Sequence, residues 1–378
     1  MKKFATILWC VILFFCLSTR NSQAVYYSWS NLTDFKGIEK YNLFLKGNLR
    51  YFRSDVEGRV AIGGNAKLKG FSLGVKADKD KYSLVVGGKL RAGGMANDAG
   101  GQVNNGGIYS GGEMLLKRVG LPEGDVVSGS RVKLKHMTIE NGSVMAKGKI
   151  KLVNTDVKKD AISTGDIILK NSTVHGQIKK NTAVNEEIPV KFEDIDLGKI
   201  SDTILSKASN SGTVIDNGQL LLQCTDPLVC YFNVSEKQIE DAWGIQVNAS
   251  AKKTVVINVK NGLPQKRKLH ITNMAFSLLG GIRSTNILYN FSGFKKLVMH
   301  HIGLMGSILA PKTTVKFYQG EMEGVLMAQN LYGGSWKKNI PGGQINSPIP
   351  VSEPSSMALL FLGLCAIAAL CYAKIALP

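Results

Sequence analysis

The chain has 378 residues and a formal net charge of +19, with 47 lysines and arginines against 28 aspartates and glutamates. This length accommodates one large domain or two small ones. Cations alternate with apolar residues, as in RVKLK at residues 131–135, but aromatics are not interleaved with them in a sustained way. The composition therefore indicates either a surface that attracts anionic polymers or simply a solvated face, and it excludes a dedicated nucleic-acid binder.

The N-terminus has the layout of a secretory signal peptide. Two lysines precede an apolar stretch at residues 7–17, and SQA, ending at Ala24, forms a small-x-small cleavage site before Val25. This layout predicts a signal peptide over residues 1–24, cleaved between Ala24 and Val25, rather than a permanent membrane helix. The rest of the chain is then exported.

Residues 25–339 are predicted to form one β domain. Short segments with period-two alternation recur between Gly, Asn, Asp and Ser residues, as expected for strands. Two or three apolar residues, then Gly or a small residue, then an alternating strand form an uneven repeat, which starts for example at Val60, Leu84 and Val144. Such copies predict a parallel β-helix, a solenoid whose Gly and Asn corners adopt the left-handed backbone conformation. A β-sandwich with Gly-rich turns is the alternative.

Helical periodicity is scarce in this domain. Apolar residues at Ile200, Ile204 and Leu205 predict one amphipathic helix over residues 197–208, packed against the strands. Ser235, with a glutamine three residues later, predicts the N-cap of a second short helix over residues 236–243.

Two cysteines fall in the domain. Cys224 and Cys230 form an isolated pair within CTDPLVC. In an exported protein such a pair predicts a local disulfide. No histidine or third cysteine lies nearby for a metal site, and the tighter C-x-x-C spacing of a redox pair is absent.

The C-terminus contains a membrane-directed segment. A proline-containing stretch at residues 340–356 predicts an extended spacer. It leads into an uncharged apolar run at residues 357–373, near the lower length limit for a helix that spans a bilayer. The arrangement predicts a C-terminal transmembrane helix that fastens the exported protein to the membrane.

Three blocks of the domain combine into a longer pattern. The opening block is YNLF followed by SDVEGRVAIGGN, the middle block is FNVS, AWGI and TVVINV, and the closing block is ILYNF, GSILAP and EGVLMA. Together, over residues 38–335, they resemble the choice-of-anchor A domain of bacterial surface proteins. The resemblance implies a surface or matrix role and brings no established catalytic residues.

The tail has a polar motif before the apolar run: Ser352, Glu353 and Pro354, with Lys374 after the run. It resembles the PEP-CTERM sorting signal of exopolysaccharide-producing Gram-negative bacteria, in which Val-Pro-Glu-Pro precedes a helix and several basic residues. Here Ser352 replaces the first proline, and a single lysine follows. The resemblance implies processing by an exosortase-type enzyme. Without processing, the segment remains as an anchor that holds the protein at the periplasmic face or cell surface.

Asp55 and Glu57 are the carboxylate pair of greatest chemical interest. Residues i and i+2 of a strand face the same side. The two could therefore bind Ca²⁺ together with Asn65, or act as acid and base on a glycosidic bond. The structural alternative is that Glu57 pairs with Arg59 while Asp55 caps a turn.

None of the five histidines lies in a zinc-binding pattern such as H-E-x-x-H. His300 and His301 are adjacent in a predicted strand, so their side chains should point to opposite faces. The pair therefore predicts no metal site.

The sequence predicts an exported, non-enzymatic structural or adhesion protein at the cell surface or in the extracellular matrix. Its positive strand faces should contact acidic exopolysaccharide or lipopolysaccharide through many weak, salt-sensitive contacts, with no specific nucleic acid. One alternative is a polysaccharide-modifying enzyme that uses Asp55 and Glu57. Another is a ligand-binding surface solenoid, such as an ice or mineral binder, which would need a flat, regular threonine array. No such ladder is visible.

Overall fold

The computed structural model describes residues 28–77, 81–94, 100–262, 268–334 and 342–346. Within these residues the chain is mainly β, and every strand pair except β19–β20 is parallel. Strands at the same point of successive coils lie beside one another. This arrangement confirms the predicted solenoid over the sandwich, whose sheets would be antiparallel.

The strands follow one another in three stretches of the chain. The first contains β1 (Leu43–Leu45), β2 (Leu49–Val56), β3 (Val60–Ile62), β4 (Ala66–Leu73), β5 (Tyr82–Val86), β6 (Leu90–Gly93), β7 (Gly101–Val103), β8 (Gly107–Ser110), β9 (Met114–Lys117), β10 (Val119–Gly120), β11 (Val126–Ser128), β12 (Val132–Ile139), β13 (Val144–Ala146), β14 (Ile150–Val157), β15 (Ala161–Ser163), β16 (Ile167–Lys170), β17 (Thr173–Val174) and β18 (Ile178–Lys179). The second contains helix α1 (Leu197–Leu205), β19 (Thr213–Asp216), β20 (Gln219–Gln223), β21 (Val229–Ser235), helix α2 (Glu236–Asp241), β22 (Gly244–Asn248) and β23 (Thr254–Lys260). The third contains β24 (Lys268–Thr272), β25 (Ala275–Leu279), β26 (Ile287–Ser292), β27 (Lys296–His300), β28 (Gly303–Met305), β29 (Ser307–Tyr318), β30 (Glu321–Glu323), β31 (Leu326–Gly333) and β32 (Gln344–Asn346).

The solenoid is wound from its middle outwards. Strand β1 pairs in parallel with β3 on one side and with β31, near the end of the domain, on the other. Residues 43–179 therefore wind away from the middle. Residues 180–208, called here the return segment, lead to the second half, which winds back until β31 meets β1 and β2.

Each coil of the first half contains three extended segments around an apolar interior. The alternation of the sequence places every second side chain inside. One interior column runs through paired strands and consists of Leu49, Ala66, Leu90, Met114, Val132 and Ile150. These side chains are at most 3% exposed, and full burial of an aliphatic side chain stabilises the fold by about 1.5–3 kcal/mol.

The outer side of the first segments, here the covered face, forms a second apolar cluster. It presents residues such as Phe44, Val85 and Leu309, which pack against residues 29–41 and against the return segment. The Phe44 and Phe192 rings, for example, lie 5.6 Å apart. One of the three outer faces of the coil is therefore buried by the chain itself.

Paired corner residues follow the first segment of each coil, and in three coils both are glycine. A Cβ atom on Gly63, Gly87 or Gly111 would lie 2.5, 2.4 or 2.3 Å from a carbonyl oxygen of the neighbouring coil. These glycines do not have positive φ. The prediction that these corners use the left-handed conformation is wrong; glycine is required there because the stacked backbones approach too closely for a side chain.

The left-handed corner lies between the second and third segments instead. In the coils of β2, β4, β9, β12, β14 and β16 it is occupied by one residue with φ of 47–55°: Arg53, Gly70, Arg118, His136, Asn154 and Asn171. Only glycine and asparagine adopt this conformation readily, and other residues do so at an energetic cost. This column therefore includes arginine and histidine at a left-handed position where conformational preference would favour glycine or asparagine.

Both predicted helices are present, with earlier ends than expected. Helix α1 starts after the N-cap Asp196 and packs Ile200 and Ile204 into the covered face. Helix α2 has the predicted capping box at Ser235 and Gln238. It stops before Trp243 because the Trp243 N–H donates to the Gly218 carbonyl and so joins the sheet.

Several predicted segments fall outside the described residues. They are the signal peptide at 1–24 with its Ala24–Val25 cut, the transmembrane segment at 357–373, and the sorting motif Ser352, Glu353 and Pro354. In the predicted 340–356 spacer, Gln344–Asn346 forms strand β32, which pairs with β30. This part of the predicted spacer belongs to the β domain. Within the described residues, no helix is long and apolar enough to cross a membrane.

Candidate functional site

The second segments of the first half align their outward side chains into two columns across the coils. The first column contains Arg50, Lys67, Arg91, Leu115, Lys133, Lys151 and Ile168. The second column contains Phe52, Lys69, Gly93, Lys117, Lys135, Val153 and Lys170, of which Phe52 is buried. We call the surface formed by these columns the basic face. Neighbouring coils lie about 4.8 Å apart, so its cations stand close together, and no carboxylate occupies either column within these described strands.

The alternation that sequence reasoning recognised at residues 131–135 produces this arrangement. Val132 and Leu134 are buried, while Lys133 and Lys135 point outwards. The alignment of Lys133 with Arg91 and Lys67 was missed, because the coils differ in length. A signal for it exists: the first-column residue stands four positions after the first corner residue, as Lys67 does after Gly63 and Lys133 does after Gly129.

Electrostatic repulsion is evident within the basic face. The nearby Lys135 ammonium lowers the pKa of Lys133, partial desolvation adds to this effect, and Lys151 contributes further. In the second half, burial lowers the pKa of Lys316, and Lys296 and Lys268 lower it further. Positive charge is therefore concentrated on this side of the solenoid without full compensation.

The edge column beside the basic face is partly neutralised. It contains Asn48, Asn65, Lys89, Glu113, Arg131, Lys149 and Asp166 at successive coils. Glu113 lies 2.6 Å from Arg131 and 3.9 Å from Lys89. Lys149 pairs with Asp166 at 3.3 Å. These ion pairs neutralise much of the charge of the rim, whereas Arg91, Lys133 and Lys151 of the first column take part in no ion pair among the described residues.

A depression of about 340 Å³ opens between the rim and the first column. Its floor includes Leu115, which is half-buried. Its walls include Arg91, Lys133 and Lys151, and Glu113 lines it from the rim. A short apolar side chain in a column of long cations explains why the surface is indented at this point.

Asp55 and Glu57 do lie close together, on the third segment of their coil. Burial raises the pKa of Asp55, the Ser72 N–H that donates to its carboxylate at 2.9 Å opposes this, and the charge of Glu57 raises it further. Glu57 pairs with Lys76 at 2.9 Å. Both carboxylates thus make structural contacts.

Asn65 is not part of this pair. It precedes strand β4, whereas Asp55 pairs with Ser72 near the end of the same strand. The Asn65 side chain accepts from the Lys89 N–H at 2.8 Å, and the Asn65 N–H donates to the Asn48 side chain. Asn65 is therefore a rung of an asparagine ladder that joins coils, too far from Asp55 to share one ion with it.

The two adjacent histidines do not point apart as predicted. The ring centroids of His300 and His301 lie 4.0 Å apart. The reason is that His301 occupies a left-handed corner, with φ of 52°, just beyond the end of β27. Among the residues that the structure describes, no group of three His, Cys, Asp or Glu side chains could hold a metal ion.

The predicted disulfide is confirmed. Cys224 and Cys230 are bonded, with their Cα atoms 5.5 Å apart. Asp226 orders the enclosed loop, because its carboxylate accepts from the Leu228 and Val229 N–H groups. The role of this pair is structural.

Comparison with known proteins identifies the family. Residues 34–336 match the family model described as "Putative Ice-binding-like adhesive domain". The chain belongs to this family. The match supports an adhesive family and does not single out choice-of-anchor A. The match begins before β1 and ends after β31, so the family domain includes the parallel pairing between these two strands.

Several solved structures are distantly similar. A possible adhesin C-terminal domain from Caldicellulosiruptor kronotskyensis has 11% identity, covers 85% of this chain and 96% of its own, and gives a TM-score of 0.30. The Tapirin C-terminal domain from Caldicellulosiruptor kristjanssonii has 13% identity, 73% and 94% coverage, and a TM-score of 0.27. An ice-binding protein from an Antarctic Flavobacteriaceae bacterium has 11% identity, 84% and 97% coverage, and a TM-score of 0.20. No curated protein matches the chain.

Proposed function

We propose that this chain is a non-enzymatic surface adhesion protein whose basic face binds acidic extracellular polysaccharide. The observation that carries the proposal is the alignment of lysine and arginine side chains into two columns across consecutive coils. The family description, an adhesive domain, supports the adhesive part. Acidic exopolysaccharide or lipopolysaccharide is the partner that the charge favours.

The geometry suits a polymer better than a small molecule. The columns run along the solenoid axis with one coil every 4.8 Å or so, so a polyanion lying along them meets one or two cations per coil. Each contact is exposed and weak, because salt screens such charges over about 8–10 Å. Affinity then arises from many contacts and falls as salt is added.

Binding of the full chain to alginate in increasing salt tests this proposal. We expect retention at low ionic strength and release as salt rises. Replacing Lys133, Lys135 and Lys151 by glutamate should weaken binding at least about tenfold. The matched control replaces three exposed lysines of the return segment, Lys191, Lys199 and Lys207, by glutamate. Equal loss in both variants, or retention that salt does not change, would refute binding at the basic face.

A second candidate is a polysaccharide-modifying enzyme. The raised pKa of Asp55, caused by burial and by the charge of Glu57, favours it, because a carboxyl that keeps its proton can act as the acid on a glycosidic bond. Replacing both by amides, Asp55→Asn with Glu57→Gln, should leave alginate binding intact. Glycan cleavage by the wild type that this double variant lacks would establish the enzyme instead.

The family name also mentions ice. A flat, regular array of threonines is what an ice or mineral binder would need, and neither column of the basic face contains threonine within its described strands. The adhesive function is therefore preferred.

We further propose that the chain is a choice-of-anchor A type protein, exported through residues 1–24. The segment at 357–373 would anchor it at the periplasmic face or cell surface until an exosortase-type enzyme cuts near Ser352. Intact-mass measurement of the exported product tests both ends. A mass that retains residues 1–24 would contradict export by signal cleavage, and a mass that retains 357–373 would contradict processing of the tail.

A further inference from the structure

Leu115 interrupts the first column of the basic face. It pairs with Arg91 on one side and with Lys133 on the other, and both neighbours are cationic. Its side chain is half-buried at the floor of the 340 Å³ depression, with Lys151 one coil further on. The site therefore offers a small apolar surface among long cationic side chains, with the Glu113 carboxylate, which pairs with Arg131, at its rim.

The cations of this depression differ in how they are compensated. The rim cations Arg131 and Lys149 pair with Glu113 and Asp166. Among the described residues, no such ion pair involves Arg91, Lys133 or Lys151. An anion placed among these three would relieve repulsion rather than compete with an existing partner.

The combination selects a ligand that is amphipathic as well as negative. A pyranose ring has an apolar face of C–H groups, and a carboxylated pyranose carries its charge at the ring edge. Single-stranded nucleic acid would instead require an aromatic surface on which bases stack, and the floor here is aliphatic. Inorganic phosphate would satisfy the cations but would make no use of Leu115.

We propose that the depression over Leu115 binds one carboxylated sugar unit of an acidic polysaccharide, with the apolar face of the ring on Leu115 and the carboxylate between Arg91 and Lys133. This subsite rests on the proposed function, because it is one position of the polymer on the basic face. It fixes the polymer in register with the coils, whereas the rest of the face contributes charge alone.

A charge-adding substitution separates the subsite from simple charge attraction. Leu115→Lys fills the gap between Arg91 and Lys133 with a cation, so a surface that attracts polyanions by charge alone would bind more tightly. The subsite predicts the opposite. Loss of roughly 40 Å² of apolar contact should weaken binding about fivefold.

Ile168→Lys is the matched control. It adds the same charge to the same column, in the terminal coil and outside the depression. We expect Ile168→Lys to bind at least as tightly as wild type. Leu115→Ala adds no charge and removes most of the apolar floor, and it should also weaken binding. It therefore shows whether the effect of Leu115→Lys comes from loss of the leucine rather than from the added lysine.

The assay is calorimetric titration of the full-length variants with oligogalacturonate, with neutral dextran and duplex DNA as comparison ligands. Weaker oligogalacturonate binding by both Leu115 variants, with Ile168→Lys unchanged or tighter, supports the subsite. Tighter binding by Leu115→Lys, or DNA bound better than oligogalacturonate, would overturn it. If the wild type does not bind oligogalacturonate at low salt, the proposed function itself fails, which is a different result.

Discussion

Lys46 ties the return segment to the solenoid, and its replacement by methionine should destabilise the domain measurably. The Lys46 ammonium donates to the Ile195 carbonyl at 2.7 Å and also to the Phe192 carbonyl. A hydrogen bond with a charged partner contributes about 1.5–3 kcal/mol. Lys46 is only half-buried, and methionine keeps the packing of the stem. We therefore expect a loss of about 2–3 kcal/mol in the free energy of unfolding.

The effect should appear first in the return segment. Because the Phe192 ring packs on Phe44, release of this segment exposes the covered face, so hydrogen exchange should accelerate over residues 190–205. Urea unfolding gives the free energy, and a decrease in Tm of about 4 °C or more should accompany it. Lys191→Met, at an exposed neighbouring position, should change stability by less than about 0.5 kcal/mol. A Lys46→Met variant as stable as this control would refute the reasoning.

Four further outcomes are expected. Arg118→Asn should raise stability by about 0.5–1 kcal/mol in urea unfolding, because Arg118 holds φ of 55° and asparagine tolerates that conformation better. The Lys81 ammonium, together with the hydroxyl of Tyr82, holds the pKa of Glu186 below its ordinary value of 4.5. The stabilisation of the fold by ionised Glu186 is therefore complete above pH 4.5 and is lost as the pH falls through the lower folded-state pKa. Glu186→Gln should remove this part of the acid dependence of Tm. Replacing Cys224 and Cys230 by serine should cost about 2 kcal/mol by the loop-entropy model, and reduction of the wild type should reproduce the loss in Tm. Lys133→Gln should raise Tm at low salt, because repulsion from neighbouring cations lowers the pKa of Lys133, and the gain should shrink in high salt.

Features that depend on neighbouring residues in the chain could be predicted from the sequence. Period-two alternation is a local property, and it correctly indicated strands such as Val132–Ile139, in which Lys133 and Lys135 point outwards. The capping box at Ser235 and the bond between Cys224 and Cys230 also require only short separations. In each case the sequence determines the geometry within a few residues.

Features that depend on distant pairing could not be predicted. The parallel pairing of β1 with β31 joins strands from the two sequence ends of the domain, and nothing local in either strand specifies its partner. The oxygen ligands that Ca²⁺ prefers suggest a site of Asp55, Glu57 and Asn65, yet Asn65 lies before the start of strand β4, whereas Asp55 pairs with Ser72 near the end of that strand. The sequence predicts a strand conformation for His301, whereas the left-handed corner at this residue, with φ of 52°, turns its side chain towards His300. Register between coils, rather than composition, decides which residues share a surface.

The alignment of like charges also bears on whether the basic face is functional or only aids solubility. Solubility requires net charge, and interspersed opposite charges would supply it with less repulsion. In the rim, Glu113 and Asp166 provide such compensation. In the adjoining column, Arg91, Lys133 and Lys151 line the Leu115 depression, and the carboxylate that also lines it, Glu113, is paired with Arg131 of the rim. Repulsion among these inner cations lowers stability, as the reduced pKa of Lys133 indicates. An anionic ligand that relieves this repulsion explains a surface that is neutralised at its edge but carries cations without carboxylates in its inner columns better than solubility does.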